Sequence, residues 1–399
     1  MRILVHDYLA YPFVVELARE LARRGNETVL LHGGGVRASR GATGRTDNDS
    51  PNLTIERVDL AESLKTRAGP SRLLQERRYG RALARQVSAA NPDVVLSVPS
   101  SLDGQRAALR AAHRANAGFV FWLQDLYSQA IRQLIGRRSR VGARMLGARF
   151  ARLERRLLQR SDGIVAISDD FSPILDGWRV DPERLTIIPN WAPLGEVTPM
   201  PKANAWAQVH GLDRVPVALY AGTLGRKHDP GLLLALADAV PDARVVVVAE
   251  GAGADRLREL GRGRTNLVVL PLQPIERLPE VLATADLLVA ILDEDASIFS
   301  VPSKVLTYLT AGRPILAAIP SVNLAARTIT ESGAGRVVDP GATEAFIAAA
   351  RAVLDAPGDD GDAGRAGREY AEREFAIGPI ADRFESVLEA AMKVGSSRR

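Results

Sequence analysis

The stretch "SVPSKVLTYLTAGRP", residues 300–314, sets a lysine at the start of a helix. Ser300 is placed as N-cap, Val301, Val305, Leu306 and Leu309 recur on one side, Gly312 stands at C′ and Pro314 follows, so Lys304 falls in the first turn. A helix N-terminus carries roughly half a positive charge and several unpaired N–H groups, and repels a lysine by roughly a few tenths of a kcal/mol. A lysine reaching into solvent tolerates that penalty; an anion docked at the same end reverses its sign. "YAGTLGRKHDP" offers related chemistry, because Gly222 and Gly225 allow a tight turn with Arg226 and Lys227 at its mouth. It is neither a Walker loop nor a G-x-G-x-x-G fingerprint, and by itself reads first as a surface loop with two cations. Taken with Ser303 and Lys304, it implies two cationic helix starts converging on one diphosphate.

Further candidates stand at other turns. Glu250 in "VAEGAGADRL" lies either beside that ligand or in a plain strand-to-helix turn, and Gln273 in "LPLQPIERL" either meets a base edge or is an ordinary loop residue. Asp293 and Asp295 have the D-x-D spacing that holds Mg²⁺ or Mn²⁺ against a sugar diphosphate, yet Arg226, Lys227 and Lys304 already neutralise such a charge. No metal and no cofactor are therefore expected. In the first half, Asp125 ends a strand and could orient a sugar or an acceptor, or serve as a helix N-cap; Asp7 is a weaker candidate of the same kind.

These residues need a frame of strand-to-helix turns. "MRILVHDYLA" followed by "YPFVVELARELARRGNETVLLHGGG" reads as strand, helix, strand, with Gly25 closing the helix, and "NPDVVLSVPS", "GFVFWLQDL" and "SDGIVAISDDF" continue the pattern. The alternation restarts at "VPVALYAGTLG" and runs through "ARVVVVAEGAG", "NLVVLPLQ", "ADLLVAILD", "RPILAAIP" and "AGRVVDP". Short apolar strands alternating with helices imply parallel sheets covered on both faces. The expectation is an α/β chain of two Rossmann-like, doubly wound domains facing a crevice, where such folds bind ligands. Residues 1–190 form the acceptor-side domain, 191–204 a proline-rich linker, 205–378 the nucleotide-sugar domain, and 379–399 a terminal helix packing back toward the first. "DAPGDDGDAGRAG" reads as a low-complexity loop.

Composition narrows the chemistry. At 399 residues, 46% hydrophobic and 25% charged, the chain suits two globular domains. No cysteine is present and five scattered histidines show no metal spacing, which excludes thiolate chemistry and argues against zinc. No apolar run approaches the roughly 20 residues needed to span a bilayer, and a cleavable leader pattern is absent, so a cytoplasmic protein is expected. Residues 1–190 hold 30 Lys and Arg against 20 Asp and Glu, net +10; the remaining 22 and 27 give net −5.

The order of motifs resembles the retaining, nucleotide-sugar-dependent glycosyltransferases of family four, which have the GT-B fold. "IIPNWAP", "YAGTLG", "AEGAG", "LQDLYSQAI" and "PSKVLTYLTAGRPIL" carry the resemblance, which covers nearly the whole chain and looks closest to the O-antigen and colanic-acid branch building lipid-linked glycans. It implies transfer of a hexose with front-face attack, the acceptor hydroxyl giving its proton to the departing phosphate oxygen. Arg226, Lys227 and the N–H groups around Ser303 then stabilise the leaving group without metal. Three departures stand out. Thr307 and Phe299 occupy places where the family has two glutamates, the second commonly on the ribose; the first turn, "HDYLAYPF", lacks the usual glycines; and Gln124-Asp125 replaces a His-Asp pair.

Residues 131–160 hold ten arginines against one acid, Glu154, with apolar residues interleaved. That basic amphipathic pattern suits an anionic membrane, and "SRLLQERRYGRALARQ" adds to it. A solvated helix face is the plain alternative; nucleic acid is not an expected partner, because stacking aromatics are sparse. The resulting expectation is a peripheral enzyme at the inner face of the membrane, with a nucleotide-sugar donor and a lipid-linked acceptor. A GT-B sugar-nucleotide epimerase and a non-catalytic sugar-nucleotide-binding homologue are the alternatives.

Overall fold

A computed structural model describes residues 1–8, 11–33, 44–58, 70–98, 100–128, 140–225, 228–294, 303–355 and 361–398. It divides into two compact units, Met1–Asn190 with Ile377–Arg399, and Trp191–Ala376. Each is a parallel sheet in a helical coat, so the chain has the expected α/β, Rossmann-like class twice over.

In the first unit β1 (Arg2–Asp7), β2 (Glu27–His32), β3 (Leu53–Arg57), β4 (Val94–Ser97), β5 (Gly118–Leu123), β6 (Gly163–Ala166) and β7 (Leu185–Ile187) pair in the order β3-β2-β1-β4-β5-β6-β7. Strands β4, β5 and β6 are buried at every position, which is why they read as unbroken apolar runs rather than alternating ones. The chain leaves β1 toward β2 on one side and β4 toward β5 on the other. Right-handed crossovers therefore send the two following helices to opposite faces, and the strand ends diverge between β1 and β4.

The Ile377–Ser396 helix completes this unit. Its Phe384 meets Trp122 edge-on at 4.8 Å, and Glu385 holds Arg24 at 2.8 Å and Asn26 at 2.6 Å. A Cβ on Gly118 would come within 2.4 Å of the Ala391 carbonyl oxygen, so only glycine lets helix and strand lie that close.

The second unit orders β8 (Val217–Thr223), β9 (Arg244–Glu250), β10 (Leu267–Leu270), β11 (Leu287–Ile291), β12 (Ile315–Ala318) and β13 (Gly335–Val338) as β10-β9-β8-β11-β12-β13. Its core has two halves, one per sheet face: Leu219, Ala221, Tyr308 and Leu309 belong to one, Tyr220, Leu224 and Leu233 to the other. The divergence of strand ends falls between β8 and β11.

Two expectations change and a third is not tested. The stretch 191–204 is no free linker: Ala192 and Val197 sit in the second unit's core, and Lys202 pairs with Asp286, because its prolines and apolar residues are packing residues. Much of the glycine-rich "loop" is the Gly361–Glu374 helix. Gly364 and Gly367 are small so that this helix can rest on backbone, a Cβ on Gly364 reaching 2.3 Å from the Gly312 carbonyl oxygen. The Ser300 N-cap lies outside the described residues; the described helix is Lys304–Thr310, ending before Gly312 at φ 65°.

Candidate functional site

The site is built where β8 and β11 part. Their ladder pairs Leu287 with Ala218 and Leu288 with Leu219, and beyond that point β8 pairs with β9 alone. The open edge is closed by a side chain: Tyr308 Oη accepts the Ala221 N–H at 2.8 Å and donates to the Ala221 carbonyl at 3.1 Å. That double bond fixes the Lys304–Thr310 helix against the end of β8.

Lys304 uses this anchorage. From the first position of its helix it crosses the sheet edge and sets Nζ 3.7 Å above the ring of Tyr220, a residue of the opposite core half. Part of its stem stays at the surface, but Nζ is buried and has no hydrogen-bond partner among the described residues. Burial pushes its ammonium down to about 7. The tyrosine face offers cation–π attraction of about 2 kcal/mol when desolvated, less than an ammonium loses on leaving water. Lys304 thus turns inward instead of reaching into solvent, a protonatable group with no anionic partner among the described residues.

The glycine turn lies beside it. Gly222 has φ 124°, a conformation glycine adopts at least cost, and a Cβ there would stand 3.6 Å from Lys304 Nζ. Leu224 N–H donates to the Glu250 carbonyl at 2.9 Å, and Gly253 N–H to the Leu224 carbonyl at 2.8 Å. Cβ atoms on Gly251 and Gly253 would approach the Leu224 oxygen to 2.9 and 2.7 Å. The glycines of "AEGAG" therefore interlock two turns. Gly225 does not offer a free amide, since its N–H donates to His228 Nδ1 at 3.0 Å.

The other candidates are placed unevenly. Ser303 is exposed, helical in its dihedrals, and makes no side-chain cap bond. Thr307 is half-buried one turn beyond Lys304, and Glu250 is exposed at the end of β9. Gln273 is engaged within the unit, its Oε1 accepting from the Trp206 indole at 3.3 Å and its Nε2 donating to the Pro271 carbonyl at 2.9 Å. Its expected base contact would have to break those bonds. Asp293 lines an open cleft of about 670 Å³ with Gly225, His228, Asp229 and Arg256. Among the described residues no three His, Asp or Glu side chains are grouped to hold a metal. Arg226, Lys227, Asp295 and Phe299 lie outside the described residues.

In the first unit Asp125 is exposed after β5, while Asp7 is buried at the end of β1 and accepts the Tyr11 N–H. Burial, Asp7 and Asp125 together push the Tyr11 phenol up to about 12. The neighbouring Gln124 and Asn190 amides pair head to head at 2.8 and 2.9 Å. The N–H groups of Tyr127 and Ser128 are received by Glu154, at 2.8 and 3.1 Å, so this carboxylate caps that turn. Burial raises the Glu154 pKa. Leu157 and Leu158 of the Arg140–Arg160 helix are buried in the fold while Arg149, Arg152, Arg155, Arg156 and Arg160 are exposed. Those leucines are thus core residues, unavailable to a membrane; residues 131–139 lie outside the described set.

Sequence reasoning passed over Tyr220, Tyr308, His228, Asn190 and Glu154. Tyr308 lies four residues after Lys304, on the same helix face, which is the one sequence signal that could have joined the two.

Residues 12–195 match Glycosyltransferase Family 4 and residues 215–356 match Glycosyl transferases group 1. A D-inositol 3-phosphate glycosyltransferase of Segniliparus rotundus is 29% identical over 258 residues, 61% of this chain and 55% of that protein, so the match spans about half of the relative's length. Among solved structures, the sucrose-phosphate synthase of Thermosynechococcus elongatus superposes with a TM-score of 0.72 at 16% identity, covering 98% of each chain. Anabaena HepE in complex with UDP-glucose gives 0.71 at 15% identity, covering 98% of this chain and 100% of that one. At such identities the structural likeness speaks for the fold. The two glycosyltransferase matches fall in series along the chain, and its two Rossmann-like units have the GT-B fold.

Proposed function

We propose that the protein moves a hexose from a nucleoside-diphosphate donor to a lipid-linked glycan acceptor, with retention and without a metal, Lys304 meeting the donor diphosphate. The observation that carries this is the buried, unpartnered Nζ of Lys304 at the parting of β8 and β11. A diphosphate oxygen there gives the ammonium its missing acceptor and stabilises the charge that develops as the sugar departs. Arg226 and Lys227, next in sequence to Gly225, would share that load, with Gly222 giving the ligand close approach and Glu250 and Thr307 flanking it. HepE binding UDP-glucose favours a uridine donor. Asp125 would orient the sugar or the acceptor hydroxyl.

The lipid-linked acceptor and the attachment to the inner membrane face rest on the net +10 of residues 1–190 and the exposed arginines of the Arg140–Arg160 helix. With Leu157 and Leu158 in the core, attachment through this part of the helix is electrostatic, about 1 kcal/mol per basic residue and weakened by salt.

Incubation with UDP-hexoses and membrane lipid extract tests the whole reading. Transfer that persists in excess EDTA is expected; donor binding without transfer, or an epimerised donor, overturns it. Replacing Arg149, Arg152, Arg156 and Arg160 by Gln should release the protein from anionic vesicles at low salt while leaving UDP binding intact.

A further inference from the structure

The ring of Tyr220 holds Lys304 Nζ without offering it an oxygen. The Tyr220 hydroxyl is turned into its own strand end, donating to the Thr223 carbonyl at 2.8 Å, and this bond fixes the ring beneath the amine. The Tyr308 hydroxyl, one turn along the lysine's helix, is engaged by both polar groups of Ala221. His228 stands edge-on to Tyr220, with ring centroids 6.4 Å apart, and receives the Gly225 N–H on Nδ1. Strand β9 ends in Glu250, opposite Thr223 in the ladder, and β11 is followed by Asp293; neither carboxylate bonds Nζ. The Gly361–Glu374 helix meets the other end of the lysine's helix, where Arg368 donates to the Thr310 carbonyl at 2.9 Å. The amine therefore lies on an aromatic floor with no acceptor for an ammonium among the described residues, a setting that favours the uncharged form.

Its approach is over Gly222, which is half-buried beside it and has no side chain. Beyond the chain neighbours of Gly222, a Cβ built there would meet Lys304 alone among the described residues within 4 Å, with Cε and Nζ both at 3.6 Å. An oxygen entering by that side comes to the amine without displacing another described side chain.

We propose that the donor site is proton-linked: Lys304 rests on Tyr220 as the free amine and takes a proton from solvent when a diphosphate arrives over Gly222. The proposal rests on the reading of Lys304 as the partner of the donor diphosphate. In the free protein, burial pushes the lysine down to about 7. An anion beside the ammonium stabilises the charged form and raises that value in the complex. Binding therefore takes up a proton at any pH between the two values, and affinity falls as pH rises through that window.

The test is calorimetry of UDP binding to the full chain at pH 8 in two buffers of different ionisation enthalpy, with affinities also measured at pH 7.5 and 8.5. The terminal phosphate of UDP, with a pKa of about 6, stays ionised throughout, so the proton is the protein's. Uptake of about one proton per UDP is expected at pH 8, and an affinity close to tenfold weaker at pH 8.5 than at 7.5. Lys304→Met should bind UDP more weakly, without proton uptake and without that pH dependence. In the unliganded parent the Lys304 Cε resonance, assigned by its loss in Lys304→Met, should titrate near neutral pH. Buffer-independent heats with UDP bound, or uptake that persists in Lys304→Met, would overturn the proposal and leave the donor reading standing. A Cε resonance titrating like that of an ordinary lysine, at about 10.4, would overturn it with or without UDP. Absence of UDP binding at every pH, with Cε titrating near neutrality, would remove the donor reading and this proposal together.

Discussion

The two partings of strands, β1 from β4 and β8 from β11, have the same topology and opposite chemistry. In the second unit the buried Nζ of Lys304 has no hydrogen-bond partner among the described residues; in the first, Asp7 already fills the helix start and the neighbouring His6 is held neutral, its imidazole pushed down to about 3 by burial. A doubly wound fold supplies a crevice at each parting, but the side chains at the strand ends decide what sign of charge enters. The turn "HDYLAYPF" has no glycine, and its Asp7 already accepts the Tyr11 N–H at the start of the Pro12–Arg23 helix, which leaves Lys304 as the proposed partner of a donor diphosphate.

The largest test of that contrast is Lys304→Met. Its loss should lower UDP affinity by about 1.5–3 kcal/mol, the worth of a charged hydrogen bond, read by calorimetry. Without ligand the variant should be the more stable protein near pH 6, by an amount on the order of 4 kcal/mol, because the parent must bury a charge. The sign follows from linkage. The folded pKa of about 7 lies below the unfolded value near 10.4, the unfolded chain binds more protons between them, and parent stability therefore rises with pH across that window. Denaturation at pH 6, 8 and 10 should show this rise in the parent and its absence in Lys304→Met; parallel curves would mean that Nζ is solvated and the contrast false.

A smaller effect is expected from Tyr308→Phe. It leaves the Ala221 N–H and carbonyl unpaired at the open edge of β8, costing about 1–3 kcal/mol of stability and loosening the Lys304 helix. UDP affinity should fall less than in Lys304→Met. Equal loss would make the tyrosine a ligand contact in its own right.

Smallest is Asp7→Ala, which removes a helix-start carboxylate and should cost about 1 kcal/mol, with UDP binding untouched. The phenol of Tyr11 should titrate at lower pH in that variant, since one of the charges holding it up is gone. A large fall in UDP affinity would show that the first parting also serves the donor.

Most of the frame could be read from the sequence because its strands are short apolar runs between helices, a pattern that admits few sheets. Lys304 was legible too, as a cation on the wrong end of a dipole. Its surroundings were not. Tyr220 and Tyr308 look like ordinary core tyrosines, and only a third dimension shows that one lies beneath the ammonium and the other fastens the open strand. Glu154 is a single acid among ten arginines, which masked its role as a cap. The glycines of 361–374 read as a loop because glycine disfavours helices in isolation; close approach to the Gly312 backbone overrides that preference.

The Ile377–Ser396 helix also sets an order in time. Its partners, Trp122 and Gly118, leave the ribosome some 250 residues before it does. During that interval the nascent first unit displays the bare face of a parallel sheet, and it closes only after the intervening second unit has been synthesised. A stop codon placed after residue 376 would thus preserve every residue of the second unit, yet yield a protein whose other half is permanently in its half-made, aggregation-prone state.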